Sequence, residues 1–269
     1  LRGYRRASTG ATAPPLWTIM LPAGTTSYST AYFPTTAAIH SPVRARGDRS
    51  VLHKYLNPHA VAVGLAAPGY ALAMLVDSVS GHVLHTARHE GGAGPLALAL
   101  SENSIALAYW SATDGHHMLS STELYAASNT TDNVLKLILG KTQLEEFDSF
   151  KTPPPRTASQ TYGFPTAVAA MAVTVTRSGV TPRQLLVATA AGQLVSYDPR
   201  LLDPRRPMVH PSKMSQADRE EGLVPYSPTL GAVNPLQVVS HGYTVARPRA
   251  VVTAPSHMES TSMVLVYGL

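Results

Sequence analysis

The residue types best suited to chemistry in this sequence are its imidazoles, and the densest group is His82, His85 and His89. Neutral imidazoles are good ligands for zinc and related metals. On an extended strand, however, residues 82 and 85 point to opposite faces, so this spacing converges on an ion only if a bulge intervenes. The cluster therefore reads as surface and packing, and His116-His117, which precedes a strand, reads the same way. Nucleophile signatures are missing: there is no Gly-x-Ser-x-Gly elbow and no Ser-x-x-Lys. Gly91-Gly92-Ala93-Gly94 is glycine-rich, but Pro95 and a strand follow it, so no helix N-terminus is offered to a phosphate and a turn is expected. The adjacent acids Glu145-Glu146 and Glu220-Glu221 would point about 100° apart on a helix and face solvent. The expectation is no catalytic centre, no metal and no cofactor.

The most informative local string is Leu202-Asp203-Pro204-Arg205-Arg206-Pro207. Asp203 can accept from a backbone amide two residues on, two prolines restrict the chain, and Arg205 and Arg206 are left as rigid forks for carboxylates or carbonyls. Two readings fit: a loop stapled to its own domain, or a loop that docks onto a partner. Asn129-Thr130-Thr131 is an N-glycosylation sequon within a polar stretch.

The elements that must hold these residues read as strands. His59 to Val76 runs eighteen residues without a charged side chain, but Pro68-Gly69 at its middle breaks any membrane helix and joins two apolar runs, His59–Ala66 and Tyr70–Val76, as a hairpin. Further short runs at His82–Ala87, Leu96–Leu100, Ile105–Trp110, Ala167–Thr176, Gln184–Thr189, Gln193–Tyr197, Arg249–Thr253 and Met263–Gly268 are separated by Gly, Pro, Asp, Asn and Ser. That grammar belongs to an antiparallel sandwich, barrel or propeller rather than to βαβ units. The organisation read from it is a loop-rich N-terminal segment at 1–46 with one or two strands, β blades at 47–127, a polar insert at 128–160, and β blades at 161–269 carrying a Pro/Arg-rich loop at 198–248. Val134 to Phe150 is the best helix candidate. Ser215 to Glu221 predicts a short helix with Ser215 as N-cap, Asp218 at its third position and Gly222 just past its end.

Composition narrows the classes. The 269 residues are 44% hydrophobic, enough for a substantial core, and only 14% charged. A net charge of +5 is a mild excess, well short of a nucleic-acid footprint. Zero cysteines remove disulfides, zinc ribbons, iron–sulfur sites and thiol nucleophiles. Both ends read as cut: Leu1 stands without a methionine, and Leu1 to Arg6 has no apolar stretch behind it to make a signal peptide.

Several long strings, taken together and in order, resemble one family. They are Gly47–Val63 (GDRSVLHKYLNPHAVAV), Gly94–Trp110 (GPLALALSENSIALAYW), Leu201–Pro207 (LLDPRRP), Glu220–Pro228 (EEGLVPYSP) and Thr253–Leu269 (TAPSHMESTSMVLVYGL). They resemble subunit 1 of the endoplasmic reticulum membrane protein complex over about Trp17 to Leu269. The resemblance implies an all-β fold, a partial β-propeller of antiparallel blades with a polar insert and short helices. It further implies the luminal side of the endoplasmic reticulum membrane, membrane attachment only through a segment absent here, and a non-enzymatic scaffold supporting insertion of tail-anchored and multi-pass proteins. The partners implied are other subunits of the complex and client membrane proteins. Asp203, Arg205, Arg206, Glu221 and Tyr226 lie within the matching strings and are the candidates for structural or partner-docking roles. The stretch 128–160 departs from the family. The same strand grammar also suits a propeller enzyme of the quinoprotein-dehydrogenase type, which would need a calcium-binding carboxylate set and stacking tryptophans where this chain has only Trp17 and Trp110, or a generic protein-interaction propeller.

Overall fold

The computed structural model describes residues 1–4, 14–34, 37–127, 134–139 and 146–269. Along the chain, β1 (Arg2–Gly3) pairs with β2 (Trp17–Thr18), and β3 (Ser27–Tyr32) is followed by a small hairpin, β4 (Val43–Ala45) and β5 (Val51–His53). Next come β6 (Ala60–Ala67), β7 (Tyr70–Asp77) and β8 (Val83–Glu90), which complete a four-stranded antiparallel sheet of order β3-β6-β7-β8. The turn between β6 and β7 is Pro68-Gly69, with Gly69 at φ +84°, a conformation that glycine adopts without strain.

The second sheet, β9-β10-β11-β12, is built from β9 (Gly92–Ser101), β10 (Ser104–Ser111), β11 (His116–Tyr125) and β12 (Arg156–Phe164). Between β11 and β12 lies the short helix α1 (Val134–Ile138). A third sheet comprises β13 (Val168–Val173), β14 (Leu185–Thr189) and β15 (Leu194–Tyr197), and after helix α2 (Gln216–Glu220) the hairpin β16 (Ala250–Pro255) and β17 (Ser262–Tyr267) forms the last.

Of the helix expected over Val134–Phe150, 134–138 are helical, 140–145 lie outside the described residues, and 146–150 are not helical. Asp148 instead accepts from the Phe150 amide at 2.9 Å and forms a turn there, which is the local hydrogen bonding that makes aspartate a turn residue. The helix expected near Ser215 forms as read: Ser215 caps it by accepting from the Asp218 amide, and Gly222 beyond it has φ +77°. β12 begins at Arg156, within the stretch read as polar insert.

The sheets stack side by side, each joint filled by side chains from facing strands. Ala62, Ala71, Ala73 and Leu75 of the first sheet meet Leu98, Leu100, Leu107 and Tyr109 of the second. Leu119, Tyr162 and Phe164 of the second meet Met171, Val187 and Val195 of the third. Ala170, Leu186 and Ala188 of the third meet Val251 and Val266 of the last. On the far side of the first sheet, Leu1, Trp17, Ile19 and Leu21 cover Val63, Leu65 and Met74. The first strand of each sheet, β3, β9, β13 and β16, lines one shared cavity of about 250 Å³. Radial sheets with their leading strands around a common axis are the arrangement of propeller blades.

Candidate functional site

The Pro/Arg-rich segment is pinned down by short-range capping. Asp198 accepts from the Arg200 amide at 2.9 Å and so starts the 3₁₀ turn Pro199–Leu202. Asp203 then accepts from the Arg205 amide at 2.8 Å, the turn that aspartate before proline favours. With the backbone set, Arg205 and Arg206 diverge. Arg206 turns inward, is 6% exposed, and donates to the carbonyls of Leu201 (2.6 Å) and Pro225 (3.1 Å from Nε, with a second, shorter bond from Nη2). Its guanidinium carbon lies 5.4 Å from the centre of the Tyr162 ring. Arg205 forms a two-pronged pair with Glu221, one prong at 2.9 Å, at the end of α2.

A third arginine completes the cluster. The β4–β5 hairpin is clipped to the end of β11 by Tyr55 N–H to Leu124 O (3.1 Å) and Ala126 N–H to His53 O (2.9 Å). This carries Arg44 of β4 across to the segment. Its guanidinium bonds Glu221 at 3.0 Å, Glu123 of β11 at 3.4 Å, and Asp203 by a shorter contact. The Tyr125 hydroxyl donates to Glu123. Beneath them the Tyr162 hydroxyl lies 2.9 Å from the Asp203 carbonyl, Gln160 donates to the Arg206 carbonyl at 3.0 Å, and the Tyr226 hydroxyl donates to Thr161 O at 2.7 Å.

Charge balance explains the electrostatics. Three carboxylates (Glu123, Asp203, Glu221) share two guanidinium groups (Arg44, Arg205). Burial, and then the charge of Asp203, push Glu123 above the usual carboxylate range. Burial and the neighbouring Glu123 likewise push the Tyr125 hydroxyl up. For Arg44 burial works against the charge, but the fields of Asp203 and Glu123 outweigh it and raise its pKa. The cluster can clamp three chain segments together, since its donors and acceptors are spent on one another.

A second hub ties the β9–β10 turn to the segment before β14. Glu102, in the β9–β10 turn, accepts from Lys54 at 2.8 Å, from Arg183 at 3.0 Å and from the His40 amide at 2.7 Å. Arg183 also donates to Thr174 O at 3.0 Å and stacks over Phe33, 4.5 Å from its centre.

Asp203, Arg205, Arg206, Glu221 and Tyr226 are thus brought into one place. Sequence reasoning missed Arg44, Glu123, Tyr125 and Tyr162, which enter from β4, β11 and β12; the alternation of their strands was the one signal, and it marks a face without naming the neighbour. Asn129 lies outside the described residues. His82 is exposed, whereas His85 and His89 face the joint between the first two sheets, and among the described residues no group of three His, Cys, Asp or Glu is placed to hold a metal. Gly91, at φ +69°, makes the expected turn, leading into β9. Neither Trp17 nor Trp110 lines the shared cavity; Trp17 packs against Gly3 and Gly81, and Trp110 meets His117 edge-on at 4.9 Å.

Comparison with known proteins agrees with this architecture. The chain is 32% identical over 238 residues to ER membrane protein complex subunit 1 of Xenopus laevis, which covers 86% of this chain and 22% of that protein. It is 33% identical over 237 residues to the Gallus gallus protein of the same name, covering 86% of this chain and 23% of that one. The Schizosaccharomyces pombe protein of that name is 24% identical over 229 residues, 84% of this chain and 25% of its own length. The chain therefore spans about a quarter of the length of the curated relatives it matches. The family described as ER membrane protein complex subunit 1, second beta-propeller, matches residues 1–269, and the chain belongs to it.

Proposed function

We propose that this chain is a non-enzymatic scaffold segment on the luminal side of the endoplasmic reticulum membrane, within a complex that supports insertion of tail-anchored and multi-pass membrane proteins. Its partners are the other subunits of that complex and client membrane proteins. The observation that carries the reading is the family match across all 269 residues. The geometry supports it: stacked β-sheets with loops locked by internal ion networks present a stiff surface, on which affinity resides in loop side chains. Asp203, Arg205, Arg206, Glu221 and Tyr226 serve this role as a clamp that holds the 198–228 segment in shape for a neighbouring subunit.

The test is purification of the tagged full-length protein after mild detergent extraction, with protease protection in sealed microsomes. Co-purification of the other subunits and protection of this region are expected. A protein that migrates alone, or whose 1–269 region is cut from outside, overturns the reading.

A further inference from the structure

The imidazoles of His85 and His89 have a placement that the scaffold role does not use. β8 pairs with β7 so that His85 stands opposite Leu75, Ala87 opposite Ala73, and His89 opposite Ala71. Those three β7 residues face the second sheet, within the joint that also holds Leu107 and Tyr109. Both histidines therefore point into that joint. The register slips between Leu75 and Val76, so Leu84 is an extra residue and His82 is left outside. His89 stacks on Tyr109 with ring centres 4.8 Å apart. The Nε2 atoms of both rings are buried without a hydrogen-bond partner.

The titratable groups on the same joint are few. From the second sheet they are Tyr109 of β10, His116 at the exposed end of β11 and Asp114 in the turn between them, whose carboxylate is taken by the Ser111 hydroxyl at 2.6 Å. From the first sheet they are Asp77 at the end of β7, held by Asn57 at 2.9 Å and Ser149 at 2.8 Å, and Tyr55 beside it. Arg88 and Glu90 of β8 alternate onto the opposite, exposed face and pair with each other at 2.7 Å. Among the described residues no free carboxylate thus stands ready to receive a protonated imidazole, and burial alone holds both histidines below their ordinary pKa.

We propose that His85 and His89 make the joint between the first and second sheets an acid-sensitive seam: neutral rings close it, and their protonation parts β8 from β10. The charged ring needs an acceptor at Nε2, and among the described residues the closed joint places none beside either buried atom. Opening supplies water, so the open form binds more protons than the closed one as the pH falls below about 6.5, the ordinary imidazole value. Linkage limits the effect to about tenfold in the opening equilibrium per imidazole per pH unit.

Hydrogen exchange of the full-length protein in its complex, read at about pH 7.5, 6.5 and 5.5 and corrected for the intrinsic rate, tests this. Amides of 83–90 and 105–111 should open progressively as pH falls, and His85→Leu with His89→Phe should abolish that dependence while the phenyl ring keeps the stack on Tyr109. Opening that does not vary with pH in the unaltered protein, or that varies equally in the double variant, overturns the proposal. Should the double variant fail to assemble at neutral pH, His89→Phe alone decides: about half the pH slope supports the seam, and the full slope overturns it.

Discussion

Arg206→Ala is the sharpest probe of the clamp, because this guanidinium bonds carbonyl oxygens rather than a carboxylate. It is 6% exposed and donates to Leu201 O at 2.6 Å, to Pro225 O at 3.1 Å and to Val224 O at 3.3 Å. Truncation leaves these three partly buried acceptors without that donor, each worth about 1–3 kcal/mol when fully buried. Water entering the vacated space keeps each near the low end, and losing the contact with the Tyr162 ring adds about 0.5–1 kcal/mol. Relief of the buried charge works the other way. The expected net loss is about 3 kcal/mol. Pulse proteolysis of the full-length protein in its complex, across a urea series, reads this as a midpoint lowered by about 1–3 M for an m-value of about 1–3 kcal/mol/M. Arg206→Lys keeps the charge but loses the fork and should fall between the two. Arg200, whose side chain is 74% exposed beside Asp198, is the control, and its alanine variant should leave the midpoint unmoved. If Arg206→Ala and Arg200→Ala give the same curve, the clamp argument is wrong.

Arg44→Met removes one of two cations from among three carboxylates, and should cost about 3–5 kcal/mol in the same assay because buried acids are left unpaired; no change would mean that Arg205 alone neutralises them. At low pH, Asp77 and Glu102 contribute to the loss of stability. Burial favours their protonated forms, but the Ser80 amide and Asn57 at Asp77, and Lys54 and the His40 amide at Glu102, hold both below their ordinary values of 3.8 and 4.5. Folded values below unfolded ones mean stability that is complete above about pH 4.5 and disappears as the pH falls through the folded values. Asp77→Asn and Glu102→Gln should each flatten that acid limb in thermal melts, and a limb of unchanged slope would refute the assignment. Gly192→Ala combines φ +88° with a new Cβ 2.5 Å from Val245 O, whereas Gly69→Ala meets nothing within 4 Å at φ +84°. Both should lose about 1–2 kcal/mol from the backbone, and only Gly192→Ala should lose more; equal midpoints would show that the Val245 loop simply moves aside.

Much of this architecture was legible because the strands are punctuated. Pro68-Gly69 and Ala191-Gly192 mark hairpin turns that the chain makes at those points, and β6 and β7 fall within a residue of where the apolar runs place them. β3 was harder to see: Ser27–Tyr32 alternates Ser, Tyr and Thr with one face exposed, so its apolar signal is weak. β12 hid for a similar reason, since Arg156–Gln160 is polar and only Tyr162 and Phe164 are large and buried. Within the clamp, Asp203, Arg205 and Arg206 announced themselves through local turn chemistry. Arg44 did not, because it lies 159 residues from Asp203 and only the clipping of β4–β5 onto β11 brings it there.

The sheet joint and the distant ion pairs hold the molecule by different forces. The facing surfaces of the first joint are rich in alanine, with Ala62, Ala71 and Ala73 opposite leucines of β9 and β10. Alanine buries area and gains the transfer energy, but a flat alanine face has few protrusions to interlock, so it resists separation better than it resists sliding. Hydrogen-bonded ion pairs are directional and fix an angle where methyl groups do not. Glu102, in the turn at the end of β9, reaches Arg183 ahead of β14, and Glu123, at the end of β11, reaches Arg44. Both hubs lie at strand ends, where a small rotation between sheets displaces atoms most. The alanine-rich joint supplies cohesion between the first two sheets, while the hubs fix what the strand ends of the second sheet meet: the segment before β14 at Glu102 and the β4–β5 hairpin at Glu123.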